Sequence, residues 1–169
     1  MPKARALAGR RLAWVLVGVL VLTAVVTPSV VSDAATKSPR YRYTKAEKCF
    51  MRKINRARAA NGQRRLNWDK HLGYVARRHA KTMANHGGIW HDQNLGRRVT
   101  RWKVLGQNTG SGGRCKGLFK SFMGSAPHRA NILGRWRYIG VGTKWEGGTL
   151  FVQQVFESRR DPGNVWSWP

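Results

Sequence analysis

Two histidines, a pair of amides and a serine are the side chains of this sequence whose types suit chemistry: His91, His128, Gln107, Asn108 and Ser125. His128 stands in the run Ser125-Ala-Pro-His-Arg-Ala-Asn-Ile-Leu133, while His91 and Gln107 fall in separate segments at loops or element ends. Such positions let polar side chains from distant parts of a chain meet in one cleft. His91 and His128 are candidate ligands for a divalent metal such as zinc, which takes three or four protein ligands. Asp92 is a candidate third ligand, although a direct neighbour of His91 tends to point elsewhere. For hydrolysis, Ser125 or Ser111 needs a histidine as base, His128 being nearest in sequence, and a third group to orient it. The chain has seven acidic residues, which leaves Asp92, Glu146 or Glu157 for that task, and no Gly-x-Ser-x-Gly elbow. A purely structural reading competes, with Ser125 capping the turn that follows and His128 bonded internally.

The elements that must position these groups follow from pattern. Thr44 and Glu47 make a capping box, and Phe50, Ile54 and Ala57 recur at helical spacing until Asn61-Gly62. The basic residues of that helix, Lys48, Arg52, Lys53, Arg56 and Arg58, read as a solvated face, with polyanion binding as the alternative. Asp69 is the N-cap of a second helix with an inward stripe of Leu72, Val75, Ala76, Ala80 and Met83, ended by Gly87-Gly88. His79 borders that stripe and reads as a packing residue. Residues 89–113 read mostly as loop, then a helix from about Arg114 to Gly124 turns in Leu118, Phe119 and Phe122. Pro127 suits the first turn of a short helical piece carrying His128. Tyr138 to Trp145 and Thr149 to Phe156 read as a hairpin turning at Glu146-Gly147-Gly148. Helices first and a hairpin last predict an α/β arrangement on an antiparallel sheet.

Residues 1–34 read as a secretory signal, with a basic start, an apolar run from Leu12 to Val26 and small residues before Ala34. A transmembrane anchor is the alternative if it stays uncleaved, because the uncharged run from Leu12 to Val31 approaches the length of a span. Residues 35–43 read as a basic linker, 44–158 as one domain, and 159–169, with Trp166 and Trp168, as a tail that folds back or marks a contact surface. Removing residues 1–34 leaves 28 of the 32 basic and six of the seven acidic residues, a formal charge of +22. That charge draws a protein to anionic polymers or lipid surfaces by salt-sensitive attraction. Export argues against nucleic acid and for a cell-envelope polymer or lipid. In an exported chain Cys49 and Cys115 are expected to form one disulfide, closing a loop of about 67 residues for roughly 4 kcal/mol, with two free thiols as the alternative. A bridge requires Cα atoms about 4.4 to 6.8 Å apart.

From Cys49 to about Phe156 the chain resembles the CAP superfamily of cysteine-rich secretory, antigen 5 and pathogenesis-related 1 proteins, in its short bacterial SCP-like form. The matching pieces, in order, are Ile54-Asn-Arg-Ala-Arg58, Leu66-Asn-Trp-Asp69, Ala76 through His79-Ala80 and Met83, and His91. They continue through Gly106-Gln-Asn108, Ser125 through His128-Arg-Ala-Asn-Ile-Leu133, and Tyr138-Ile-Gly-Val-Gly142. The resemblance implies an α-β-α sandwich with a central antiparallel sheet and a surface cleft. In many members two histidines and two glutamates line that cleft, and some bind zinc or another divalent ion. Carried onto this chain, the histidines fall on His91 and His128, the first glutamate on Gln107 and the second near Ser125. Both acidic positions are therefore neutral, and an amide cannot act as general base and is a poor metal ligand beside a carboxylate. The substitutions favour a cofactor-free cleft of His91, Gln107, Asn108 and His128, with Gln107 bridging the histidines. The resemblance implies a secreted or envelope-associated protein and leaves the choice among binding module, hydrolase and protein-interaction module open.

Overall fold

The computed structural model describes residues 41–99 and 102–158. The expected signal, linker residues 35–40 and the tail with Trp166 and Trp168 lie outside the described residues. No helix among the described residues is long and apolar enough to cross a membrane.

Helix α1 (Lys45–Ala60) begins at the expected capping box, where the Thr44 hydroxyl accepts from the Glu47 amide at 3.2 Å and the Glu47 carboxylate accepts from the Thr44 amide at 2.8 Å. Glu47 is fully buried and also accepts from Arg77 Nε at 2.8 Å and from the Thr143 amide at 3.1 Å. One carboxylate thereby ties the start of α1 to α2 and to the sheet. Helix α2 (Lys70–His86) is capped by Asp69, which accepts from the amides of His71 and Leu72, and ends at Gly87 with φ +67°. A four-residue helix α3 (Leu95–Arg98) follows, then α4 (Cys115–Gly124) and α5 (Ala126–Leu133), with Pro127 in the first turn of α5.

Strands β1 (Asn67–Trp68), β2 (Leu105–Gly112), β3 (Tyr138–Glu146) and β4 (Thr149–Glu157) form one sheet in the order β1-β3-β4-β2. The two-residue β1 runs parallel to β3, and all other pairs are antiparallel. The expected loop around Gln107 is corrected: Leu105–Gly112 is an edge strand, paired with β4 from Leu105 opposite Glu157 to Gly112 opposite Leu150. Its three glycines and its amides hide it from any alternation of apolar and polar residues.

Alternation along β4 divides the core into two layers. Leu150, Val152 and Phe156 face α1, α4 and α5 and pack with Phe50, Ile54, Leu118, Phe122 and Ile132. Val155 meets Leu72, Val75 and Ala76 of α2 on the other face, and Phe151 meets Ala80, Met83 and Ala84. Along β3, Gly140 and Gly142 face α2, and a Cβ at either would collide with the helix backbone at Leu72–Gly73 or Ala76–Arg77. Helix α2 therefore rests on the sheet main chain itself. The result is an α-β-α sandwich.

Two basic or aromatic stretches differ from their sequence reading. Arg58 is only 1% exposed: its guanidinium donates to the carbonyls of Arg64, Ile132 and Gly134, each at 2.8 Å. Ile132 and Gly134 lie at the C-terminal end of α5, where unpaired carbonyls favour a cation. The packed chain also begins before Thr44, since the Tyr41 hydroxyl donates to the Val141 carbonyl, the Tyr41 ring covers Gly73 and the Arg77 guanidinium stacks over it at 4.0 Å. Cys49 and Cys115 form the disulfide, with Cα atoms 6.4 Å apart, and clamp α1 to the start of α4.

Candidate functional site

The free edge of the sheet is β2, and its alternation sends neighbouring amides to opposite layers. Asn108 points to the α5 side, where its Nδ2 donates to the His128 carbonyl at 3.1 Å and to Gln154 Oε1 at 3.0 Å. Its Oδ1 accepts from Asn131 Nδ2 at 2.9 Å. Gln107 points to the α2 side: its Oε1 accepts from the Asp92 amide at 2.9 Å and from Gln153 Nε2 at 2.8 Å, and its Nε2 donates to the Asp92 carbonyl at 3.1 Å. The amides of Gln107 and Asn108 thus anchor a different wall each.

His91 is exposed, and the backbone on both sides of it is held. The buried His79 lies 2.8 Å from the Trp90 carbonyl through Nε2, and because a carbonyl only accepts, that nitrogen carries the proton. His79 is thus a packing residue that also fixes the loop. On the other side Gln107 grips Asp92, so the expected bridge is corrected: Gln107 bonds the Asp92 backbone and Gln153, and neither histidine ring.

His128 is half-buried on α5, in edge contact with the Phe122 ring at 5.0 Å between centroids. Its Nδ1 lies 2.9 Å from Ser125 Oγ. Ser125 holds the N-cap position of α5 but makes no side-chain cap bond, since its hydroxyl engages the imidazole instead. Burial lowers the pKa of His128 below its ordinary value, and charge on His91 lowers it further.

The donor set does not fit a metal. Among the described residues no three His, Cys, Asp or Glu side chains converge. Asp92 is turned away, with Oδ2 at 2.9 Å from Arg98 Nη1 and Oδ1 accepting from the Asn94 amide. For hydrolysis the serine–histidine contact is present, and the orienting acids are placed elsewhere: Glu146 pairs with Lys144 at the hairpin turn, and Glu157 lies on the α2 face of β4 opposite Leu105. Ser111 is exposed further along β2 and, by alternation, faces away from the layer that holds His128. A depression of about 410 Å³ opens beside Gln107, lined by Asp92, Leu95, Trp102, Val104 and Gly106 among others, and neither histidine borders it.

The model of the cysteine-rich secretory protein (CAP) family matches residues 51–156. The chain belongs to this family. Solved structures agree on the fold of the CAP domain. It is similar to an outer surface protein from Borrelia burgdorferi, at 17% identity and TM-score 0.64, over 70% of this chain and 97% of that one. It is similar also to an SCP-domain extracellular protein from Bacillus anthracis, at 23% identity and TM-score 0.58, with 68% of this chain spanning 40% of that one. A third likeness is to the venom allergen-like protein 4 of Schistosoma mansoni, at 15% identity and TM-score 0.55, over 75% of this chain and 97% of that one. The sequence search of curated proteins finds no match.

In the CAP domain Gln107 and Asn108 of β2 bond to the segments that carry His91 and His128, through the Asp92 backbone and the His128 carbonyl, and Ser125 bonds to His128 itself. Three supporting residues escaped the sequence reading: Asn131, Gln153 and Gln154. Gln153-Gln154 stands inside the apolar run Phe151 to Phe156, and adjacent strand residues face opposite layers. A polar pair in a buried strand is therefore a readable signal for one amide in each layer.

Proposed function

We propose that this CAP domain is a secreted, non-catalytic binding protein held at the cell envelope by anionic polymer. The observation that carries the reading is where the acids are. Among the described residues Glu47, Asp69, Asp92 and Glu157 are buried, and the one exposed acid, Glu146, pairs with Lys144. The exposed charge of the described residues is therefore almost all positive, which attracts polyanions over distances of a Debye length. Neutral Gln107 and Ser125, in place of the two glutamates of many relatives, support a binding role over chemistry. Affinity for dextran sulfate should fall steeply between about 50 and 200 mM salt, while neutral dextran stays unbound. Binding of dextran sulfate that does not change with salt would sink the reading.

The 2.9 Å contact between Ser125 and His128 favours a second reading, a hydrolase. There Ser125 Oγ attacks an ester carbonyl as His128 Nδ1 takes its proton, the adduct expels the alcohol with that proton, and water then hydrolyses the acyl-serine. S125A and H128A must both abolish turnover of p-nitrophenyl acetate; a rate that survives S125A rules this out.

A further inference from the structure

Helices α1 and α4 enclose a groove of about 490 Å³ whose lining is Lys53, Lys116, Gly117, Phe119, Lys120 and Met123. Three ammonium groups surround an apolar floor, and Lys53 Nζ sits 5.7 Å from the centre of the Phe119 ring. Along the outer ridge of α1 stand Lys45, Lys48, Arg52 and Arg56, all exposed and spaced three or four residues apart. The carboxylates of Glu47, Asp92 and Glu146 bond to Arg77, Arg98 and Lys144, and none of them reaches this face. The Cys49–Cys115 disulfide stands one turn before Lys53 on α1 and one residue before Lys116 on α4. It holds the two lysine-bearing walls at a fixed separation.

We infer that this groove seats a linear anionic polymer with a carbon-rich backbone, of the phosphodiester-linked polyol or sugar type. The inference rests on the polyanion-binding reading above and assigns it a place. Anionic groups pair with the lysines and the α1 ridge, and backbone C–H groups lie on Phe119 and Met123. A single strand fits better than a flat bilayer: Phe119 and Met123 are half-buried in the groove, with Lys53 Nζ over the Phe119 ring, and a strand enters such a recess where a planar surface does not. A continuous ridge of cations along one helix likewise matches a line of charge.

The test uses the purified protein, immobilised poly(glycerol phosphate), and vesicles of phosphatidylglycerol in phosphatidylcholine. Two triple variants each remove three positive charges: K53Q/K116Q/K120Q in the groove, and K70Q/R78Q/K81Q on the exposed side of α2. The groove variant should bind poly(glycerol phosphate) at least tenfold more weakly, with its log–log salt slope smaller by about 2, and the α2 variant less than threefold more weakly. Equal losses overturn the groove assignment and leave the polyanion reading standing. Failure of the unaltered protein to bind polyanions overturns both. Tighter binding to vesicles than to the polymer, lost in the groove variant, overturns the polymer and makes the face a membrane contact. If the groove variant melts earlier than the parent, the single variants K116Q and K120Q on exposed positions carry the test, each expected to weaken binding about threefold, and unchanged affinity in both overturns the assignment.

Discussion

The edge of β2, where the cleft is expected, and the groove between α1 and α4 both gather polar groups, yet those groups are in opposite states. In the cleft, Gln107, Asn108, Asn131 and Gln153 are bonded to one another or to backbone, and no carboxylate of the described residues joins His91 and His128 in a cluster. In the groove, three lysines surround an apolar floor, and the carboxylates of Glu47, Asp92 and Glu146 pair with other cations. Groups already bonded within the fold contribute to its stability, whereas unpaired charges at a surface contribute to encounter with a partner. Substitutions in the cleft should therefore cost stability, and substitutions in the groove should cost binding.

The largest effect that sharpens this contrast comes from the disulfide. C49A/C115A should lower the free energy of unfolding by about 4 kcal/mol, from the entropy of an open 66-residue span, measured by urea denaturation. The same variant, while folded, should bind poly(glycerol phosphate) more weakly because the groove walls part. Unchanged affinity would separate the bridge from the groove. Next comes N108A, which strands Gln154 Oε1 inside the protein and takes one partner each from the His128 carbonyl and Asn131 Nδ2, at a cost of about 2 to 4 kcal/mol. Polymer affinity per folded molecule should stay as it was, and a large loss of affinity would break the division of labour.

Q107E is smaller. It sets a carboxylate oxygen against the Asp92 carbonyl where an N–H now donates, which should destabilise the fold by about 1 to 3 kcal/mol at neutral pH. Zinc should leave the melting temperatures of parent and variant alike; a rise in the variant alone would make the cleft a metal site short of one ligand. The smallest effect concerns His128. Its folded pKa lies below 6.5, first through burial and then through His91. The unfolded chain therefore takes up that proton first, and the native state loses stability as the pH falls from 6.5 toward the lower folded value. In an NMR titration the His128 midpoint should sit below 6.5 and rise in H91N. A midpoint unmoved by H91N would mean the two rings do not face each other.

Much of the frame was legible because its signals are local. The Thr44–Glu47 box, the Asp69 cap, the Gly87 stop and the glycine turn of the hairpin each act within a few residues. Strand β2 was not legible, because Leu-Gly-Gln-Asn-Thr-Gly-Ser-Gly carries one β-branched residue, Thr109, and no alternation, and is a strand only through its pairing with β4. For His91, Gln107, Asn108, Ser125 and His128 the bonds they make were not readable. Gln107 finds Asp92 and Gln153, and Ser125 finds His128, through side-chain directions that only the packed sheet and α5 fix. Arg58 failed for the same reason, since its acceptors come from two separate segments, Arg64 and the end of α5.

Arg58 also sets an order of events. Two of its three acceptors, the carbonyls of Ile132 and Gly134, lie 74 and 76 residues further along the chain. Until α5 has formed and docked, a guanidinium drawn into the interior has only the Arg64 carbonyl to offset its lost hydration, so burying the last turn of α1 is unfavourable. The sequestered cation thus couples the closing of the first helix to a segment made much later, and contacts of that span are slow to assemble. A turn of helix made early thus waits on one made late.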